Sequence, residues 1–167
     1  IHSRRRRSTQ CNTKTVDRGK IMNINIIAVG KIKEKYLKDA ISEYSKRIGA
    51  YGKLDIVELT PVRLSDSPLQ TEIDNALTKE AEEIKKKIPN GSYVFSLCVE
   101  GKQKSSEELA KTIQDVTLNG KSNIVFIIGS SFGLSPEIKK LSDSRLSFSP
   151  MTFPHQLMRV MLLEQIY

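Results

Sequence analysis

The chain has 167 residues, of which 38% are hydrophobic and 28% charged, a composition that suits a single soluble domain with a hydrophobic core. Its two cysteines, Cys11 and Cys98, are far apart and form no CxxC motif, so the sequence indicates neither a disulfide framework nor a thiolate metal site. No segment has the roughly 18 consecutive apolar residues that a membrane span needs, and no secretory signal follows the basic N-terminus, so we expect a cytoplasmic protein.

The formal charge of +8 is concentrated at the N-terminus. Residues 1–20 contain seven Lys or Arg and one Asp, whereas the other 147 residues contain 20 basic and 18 acidic residues, a net charge of +2. Such a small excess does not by itself indicate RNA binding. Residues 1–21 lack apolar periodicity, which predicts a disordered extension. We interpret it as vector sequence or a misplaced start before Met22, with an RNA-binding arm as the alternative, and residues 22–167 as one domain.

Strands and helices alternate through the first half of this domain. Residues 23–29 form a short β-branched run ended by Gly30, which is typical of a buried strand. Apolar residues at helical spacing predict a first helix over residues 35–48. Residues 54–59 are predicted as a second strand, and residues 73–88 carry the apolar stripe of a long second helix.

The second half continues the alternation. Residues 93–99 predict a third strand, and Ser105 with Glu108 has the spacing of a capping box that starts a third helix. The apolar run 124–128 predicts a fourth strand, followed by a short helix, a fifth strand and a nearly all-apolar final helix. Strands that alternate with helices, several of them continuously apolar, indicate an α/β fold whose mostly parallel sheet has helices on both faces.

Ligands of open α/β sheets bind at the carboxyl ends of the strands, where three loops qualify: residues 100–102, 129–134 and 148–155. We call the second the glycine loop; its Gly129 and Gly133 fit neither common phosphate-binding spacing, and an ordinary turn is the alternative. We call the third the proline loop. Its two prolines fix the backbone, and Met151 and Phe153 then offer an apolar surface that suits a flat heterocycle. The alternative is a stiff turn that buries Met151 and Phe153 in the core.

Several segments carry a family resemblance. The glycine-loop region 127–134 (IIGSSFGL), the segment 146–160 (LSFSPMTFPHQLMRV) and the closing residues 163–167 (LEQIY) resemble the ribosomal RNA large subunit methyltransferase H family. These are small members of the SPOUT class of knotted methyltransferases. Residues 24–31 and 54–59 also resemble the family, so the match covers essentially residues 22–167.

The resemblance implies an S-adenosylmethionine-dependent enzyme that methylates N3 of a pseudouridine in large-subunit ribosomal RNA. It also implies a homodimer that acts on assembled ribosomes, and a C-terminal trefoil knot. A non-catalytic protein that binds RNA or the ribosome and keeps the SPOUT shape is the alternative function. By matched position, the resemblance implies cofactor contacts at Leu97, Gly129, Phe148, Ser149, Pro150, Met151, Thr152 and Phe153.

The implied reaction must remove the N3 proton, so a base or an anion stabiliser helps. His155 follows the proline loop and is a candidate for either role, or simply opens the last helix. Arg159 is a candidate phosphate or dimer contact, against an ordinary surface arginine. Lys102 and Lys104 are candidates for contact with the RNA backbone, unless they are only solvated. Cys98 is interpreted as a buried strand cysteine rather than a nucleophile.

The chain departs from the family pattern at two places. Ser130 stands where members usually have glycine, which costs roughly 1–2 kcal/mol if the backbone there needs a positive φ. Family members also continue past the Tyr167 position with a short basic tail implicated in substrate binding, so we expect a domain that folds but has little or no methyltransferase activity. The apolar final helix predicts a dimer interface, with full burial inside one domain as the alternative.

Overall fold

The computed structural model describes residues 22–167, so the predictions for residues 1–21 lie outside the described residues. No helix in the described range is long and apolar enough to cross a membrane. Strands and helices alternate as predicted. Their bounds are β1 Met22–Val29, α1 Lys35–Gly49, β2 Gly52–Leu59, α2 Gln70–Lys87, β3 Tyr93–Gln103, α3 Ser106–Leu118, β4 Asn123–Ile128, α4 Pro136–Leu141, β5 Ser144–Ser147 and α5 His155–Ile166.

The five strands form one sheet in the order β2-β1-β4-β3-β5, and every neighbouring pair is parallel. The prediction of a mostly parallel α/β sheet is therefore confirmed. Because all strands run the same way, their carboxyl ends share one side of the sheet, where the loops of α/β proteins bind ligands. The trefoil knot implied by the resemblance stays a prediction.

Helices cover both faces of the sheet, as the continuously apolar strands indicated. On one face α1, α3 and α5 pack on a buried cluster that includes Ile26, Phe95 and Phe126, whose two phenyl rings stack with centroids 4.8 Å apart. On the other face α2 and α4 pack on a second cluster that includes Ile27 and Val125. The sheet is thus the middle layer of three.

The predicted capping box of α3 is confirmed. The Ser105 hydroxyl accepts a hydrogen bond from the Glu108 amide at 3.1 Å, and the Glu108 carboxylate accepts one from the Ser105 amide at 2.8 Å. Two free amides at the start of the helix are satisfied in this way, which fixes where α3 begins.

The predicted end of the third strand is wrong. β3 continues to Gln103, with a register shift between Leu97 and Lys102 where it pairs with β5. The predicted loop 100–102 is therefore part of a bulged strand. Gly101 permits the bulge, because a Cβ there would lie 2.9 Å from the carbonyl carbons of Arg145 and Leu146.

Candidate functional site

The carboxyl ends of β4, β3 and β5 lie side by side. In the register of the sheet, Leu97 of β3 is opposite Ile128 of β4 on one side and Leu146 of β5 on the other. Gly129 directly follows Ile128, and Phe148 follows the last residue of β5. The structure thus brings together Leu97, the start of the glycine loop and the start of the proline loop.

The glycine loop folds back tightly on itself. The Gly133 amide donates to the Ser130 carbonyl at 2.9 Å, and these two residues form an isolated antiparallel bridge. A Cβ on Gly129 would lie only 2.7 Å from the Gly133 carbonyl carbon, and Gly133 itself has φ +84°. Both positions therefore require glycine for a physical reason, and whether the loop is more than an ordinary turn depends on ligand binding.

Ser130 has a side-chain partner outside the loop. Its hydroxyl donates to the Glu80 carboxylate of α2 at 3.3 Å. The same carboxylate accepts from the Val62 amide at 3.3 Å, in the loop that follows β2. Glu80 is buried, and this burial raises the pKa of its carboxyl group above the ordinary value.

The proline loop is held by its own serines. The Ser147 hydroxyl donates to the Ser149 carbonyl at 3.2 Å, and the Ser149 hydroxyl accepts from the Met151 amide at 3.0 Å. Met151 is 72% exposed, so it is not tucked into the core. Phe148 is half-buried and packs against the cluster under α1, α3 and α5. The loop thus presents an apolar surface beside ordered backbone groups.

Two adjoining grooves meet at Phe148. One, of about 250 Å³, runs between the end of β5 and the start of α3, and the other, of about 270 Å³, runs along α5. Phe148 and Gln165 line both grooves. Lys104 lines the first and donates from Nζ to Thr112 at 2.8 Å, whereas Lys102 is exposed. Apolar and polar surface is therefore available next to the proline loop.

His155 opens α5 close to the end of β1. A Cβ placed on Gly30 would lie 3.7 Å from His155 Nε2, which shows how near the imidazole comes to that strand end. Burial, and then the positive charge of Arg159, lower the pKa of His155 below its ordinary value of 6.5. The lowered pKa favours the neutral imidazole, which has a nitrogen that can accept a proton.

Arg159 is buried, with only 1% of its surface exposed, so the alternative of an ordinary surface arginine is wrong. Its Nη2 donates to the Gly30 carbonyl, and its Nη1 lies 3.5 Å from the Glu58 carboxylate of β2. Glu58 also accepts from the Ile32 amide at 3.1 Å. These contacts join α5 to the ends of β1 and β2. A phosphate or dimer contact by Arg159 stays a prediction.

Cys98 lies in the β3 bulge. It is a free, half-buried thiol. Burial, and then the nearby Glu100 carboxylate, raise the pKa of Cys98. A thiol held in its protonated form is a poor nucleophile, which supports its interpretation as a strand cysteine.

Sequence reasoning missed Glu80 and Glu58. For Glu80 a signal was present: Ile73, Ala76, Glu80 and Ile84 follow one another at spacings of three and four, so the glutamate falls on the apolar stripe of α2. An acidic residue on a buried stripe indicates a partner for its carboxylate. For Glu58 no local pattern distinguishes it from other strand glutamates, since its partners come from distant parts of the chain.

Known proteins are similar to this chain over most of its length. A family model described as "Predicted SPOUT methyltransferase" matches residues 22–167. The chain is 56% identical over 150 residues to a protein of Bifidobacterium adolescentis named ribosomal RNA large subunit methyltransferase H. It is 51% identical over 146 residues to a protein of the same name from Limosilactobacillus reuteri. Each alignment covers 87% of this chain and 92% of the relative.

Proposed function

Because the chain belongs to the ribosomal RNA large subunit methyltransferase H family of SPOUT methyltransferases, we propose that it methylates large-subunit ribosomal RNA. In the finer form of this proposal, the methyl donor is S-adenosylmethionine and the acceptor is N3 of a pseudouridine in the assembled ribosome. The observation that carries it is the register that aligns Leu97 with Ile128 and Leu146, because it gathers the matched residues at adjoining strand ends.

The chemistry of the site fits an adenosyl group. Gly129 and Gly133 approach each other without side chains between them, and the proline loop offers apolar side chains beside backbone groups held by Ser147 and Ser149. Flat heterocycles are bound by such combinations of apolar walls and a few fixed polar groups. We therefore assign cofactor binding to Leu97, Gly129, Phe148, Ser149, Pro150, Met151, Thr152 and Phe153.

When bound, S-adenosylmethionine supplies a methyl group activated by its sulfonium centre. The residues of this chain must then orient the acceptor and take up its proton. His155 is half-buried, its lowered pKa favours the neutral imidazole, and it adjoins the proline loop, so we assign it the proton from N3. Arg159 holds the Gly30 carbonyl one helical turn away, and we infer that it keeps His155 in place.

The first experiment is calorimetric titration of the chain with S-adenosylmethionine and S-adenosylhomocysteine. We expect both to bind at one site per chain. Mass mapping of large-subunit rRNA from a strain without the gene, complemented with this chain alone and with the family's basic tail added, then identifies the modified nucleotide. The comparison also tests the expectation that the chain has little activity without that tail. Failure to bind either cofactor, together with binding to ribosomes, would favour the non-catalytic alternative.

We also propose a homodimer that pairs through α5. Apolar side chains occur around this helix, yet Leu157 is exposed and Val160 and Met161 are only half-buried along the groove beside Phe148. Apolar surface left exposed on a mostly apolar helix is typical of an interface. A two-fold pair would place a second subunit near each cofactor site and widen the surface that a folded RNA meets.

The dimer is tested by placing a charge on this surface. Light scattering should give a dimer mass for the wild-type chain and a shift towards the monomer for Leu157→Glu, because an interface would desolvate the new carboxylate. Leu118→Glu is the matched control, since Leu118 is also exposed but lies at the end of α3. A monomeric wild-type chain would contradict the proposal.

A further inference from the structure

A single buried carboxylate joins two loops on the ligand side of the sheet. Glu80 lies in α2 and is only 6% exposed. Its Oε1 accepts from the Val62 amide in the loop after β2, and its Oε2 accepts from the Ser130 hydroxyl in the glycine loop after β4, each at 3.3 Å. These loops are 68 residues apart in sequence, counted from Val62 to Ser130.

Stability alone does not account for a carboxylate here. Within residues 22–167, no Lys, Arg or His forms an ion pair with Glu80. Its near neighbour Ala81 and the next buried residue, Ile84, are apolar and pack in the cluster beneath α2. An unpaired buried charge is costly, and an apolar side chain would avoid that cost. The carboxylate forms hydrogen bonds to Val62 and Ser130, which an apolar side chain could not form.

Glu80 contacts the glycine loop from the side opposite the assigned cofactor contacts. It reaches Ser130 from the α2 face of the sheet, whereas Leu97 and Phe148 pack with the cluster on the opposite face. The side chain therefore holds the loop without lying among the assigned cofactor contacts. Since Ser130 is bonded both to Gly133 and to Glu80, a shift of the carboxylate would move the backbone next to Gly129.

We propose that Glu80 is a positioning residue that links the loop after β2 to the glycine loop and sets cofactor affinity through Ser130. This inference rests on the proposed function, because it takes the glycine loop as part of the cofactor site. It assigns Ser130 a role as well: the serine hydroxyl provides a tether for the loop that glycine would lack.

The test compares S-adenosylhomocysteine affinity in matched variants. Ser130→Ala should weaken binding about 2- to 12-fold, the equivalent of one net hydrogen bond, and Glu80→Ala by at least as much. The double variant Glu80→Ala with Ser130→Ala should be no weaker than Glu80→Ala alone, because both changes remove the same link. Ser42→Ala, on the exposed side of α1, and Glu83→Gln, on the exposed side of α2, should leave affinity unchanged.

A second measurement does not need the cofactor. Hydrogen exchange of the amides of residues 129–134 should accelerate in Glu80→Ala and in Ser130→Ala, and not in the two controls. Glu80→Gln should restore part of the protection, because its amide oxygen can accept from Val62 while its NH₂ group can donate to the Ser130 oxygen. Thermal unfolding of Ser130→Ala should remain close to wild type, which separates a local effect from a general loss of stability.

The outcomes distinguish the two proposals. If the wild-type chain does not bind S-adenosylhomocysteine, the proposed function fails, and the exchange experiment still tests the link. If the wild-type chain binds while Ser130→Ala keeps its affinity and its exchange rates, the positioning role of Glu80 is overturned. Should Glu80→Ala fail to fold, Ser130→Ala decides the question, because it removes the same link from the glycine-loop end.

Discussion

The side of the sheet with the carboxyl ends of the strands has two different halves: side chains fill one half, which we call the closed half, and grooves remain at the other, the open half. At the ends of β1 and β2 the chain fills the space itself, with Arg159 of α5 bonded to the Gly30 carbonyl and paired with Glu58. At the ends of β4, β3 and β5, two loops fold on their own backbones and leave grooves beside Phe148, with Met151 exposed.

We infer from this difference that one parallel sheet separates the residues that stabilise the fold from those of the proposed cofactor site. The buried guanidinium of Arg159 occupies the Gly30 carbonyl at the end of β1 and ties α5 to that strand. Glycines and short serine contacts at the other half keep backbone groups near the surface. Changes in the closed half should therefore lower the free energy of unfolding, and changes in the open half should lower cofactor affinity.

The largest effect is expected from Arg159→Ala. This change leaves the Gly30 carbonyl and Glu58 without their partner and opens a cavity, so the free energy of unfolding should fall by about 2–4 kcal/mol. Urea unfolding measures this. Arg47→Ala is the matched control, since Arg47 forms an exposed pair with Glu43 and should lose less than about 1 kcal/mol. Equal losses of unfolding free energy in Arg159→Ala and Arg47→Ala would contradict the stabilising role given to Arg159.

Gly129→Ala should act on the open half. The added Cβ would lie 2.7 Å from the Gly133 carbonyl carbon, so the glycine loop must shift, at a cost of about 1–3 kcal/mol. S-Adenosylhomocysteine affinity should fall by about tenfold or more, which corresponds to about 1.4 kcal/mol. Gly49→Ala is the control, because no atom lies within 4 Å of its added Cβ. Unchanged binding by Gly129→Ala would remove the glycine loop from the site.

Ser105→Ala tests the wall of the groove. It removes the hydroxyl that accepts from the Glu108 amide at the start of α3, and such caps contribute about 1 kcal/mol. We expect that loss in urea unfolding, with a smaller decrease in cofactor affinity because Ser105 also lines the groove beside Phe148. Ser42→Ala should change neither quantity. A stability equal to that of wild type would show that the cap is dispensable.

The smallest effect concerns His155, which lies between the two halves. Burial and Arg159 lower its pKa in the folded chain, so the unfolded chain binds a proton more tightly. Stability should therefore fall as pH drops below about 6.5, the pKa of an unperturbed histidine. The decrease should be less steep in His155→Gln. An NMR titration should give a pKa below 6.5 for His155, and a value above it would contradict the described environment.

Features that depend only on neighbouring residues could be predicted from the sequence. The capping box needs only Ser105 and Glu108, so its geometry follows from local spacing. The apolar runs likewise predicted the parallel sheet. The end of β3 was predicted wrongly because the bulge depends on β5, whose residue Leu146 pairs with both Leu97 and Lys102. A strand end decided by a partner more than 40 residues away leaves no local signal.

The candidate site likewise has parts that the sequence predicted and parts that it did not. The loops that hold Gly129 and Phe148 were identified from glycines, prolines and the family resemblance, and the register places them side by side. The environment of Arg159 was not predictable, because its partners at Gly30 and Glu58 lie about 100 or more residues earlier in the chain. Pairings of that kind become visible only when the sheet order is known.

The sheet order also has a consequence for how the chain acquires its structure. β1 occupies an interior position between β2 and β4, and its residue Asn23 is paired with Asn123. The early β-α-β unit of β1, α1 and β2 ends at Leu59, so during synthesis it must wait for 64 further residues, until Asn123, before β1 is covered on both edges. Such distant pairings slow folding, and apolar surface stays exposed to solvent until they form. Production at low temperature or with chaperones should therefore increase the soluble yield.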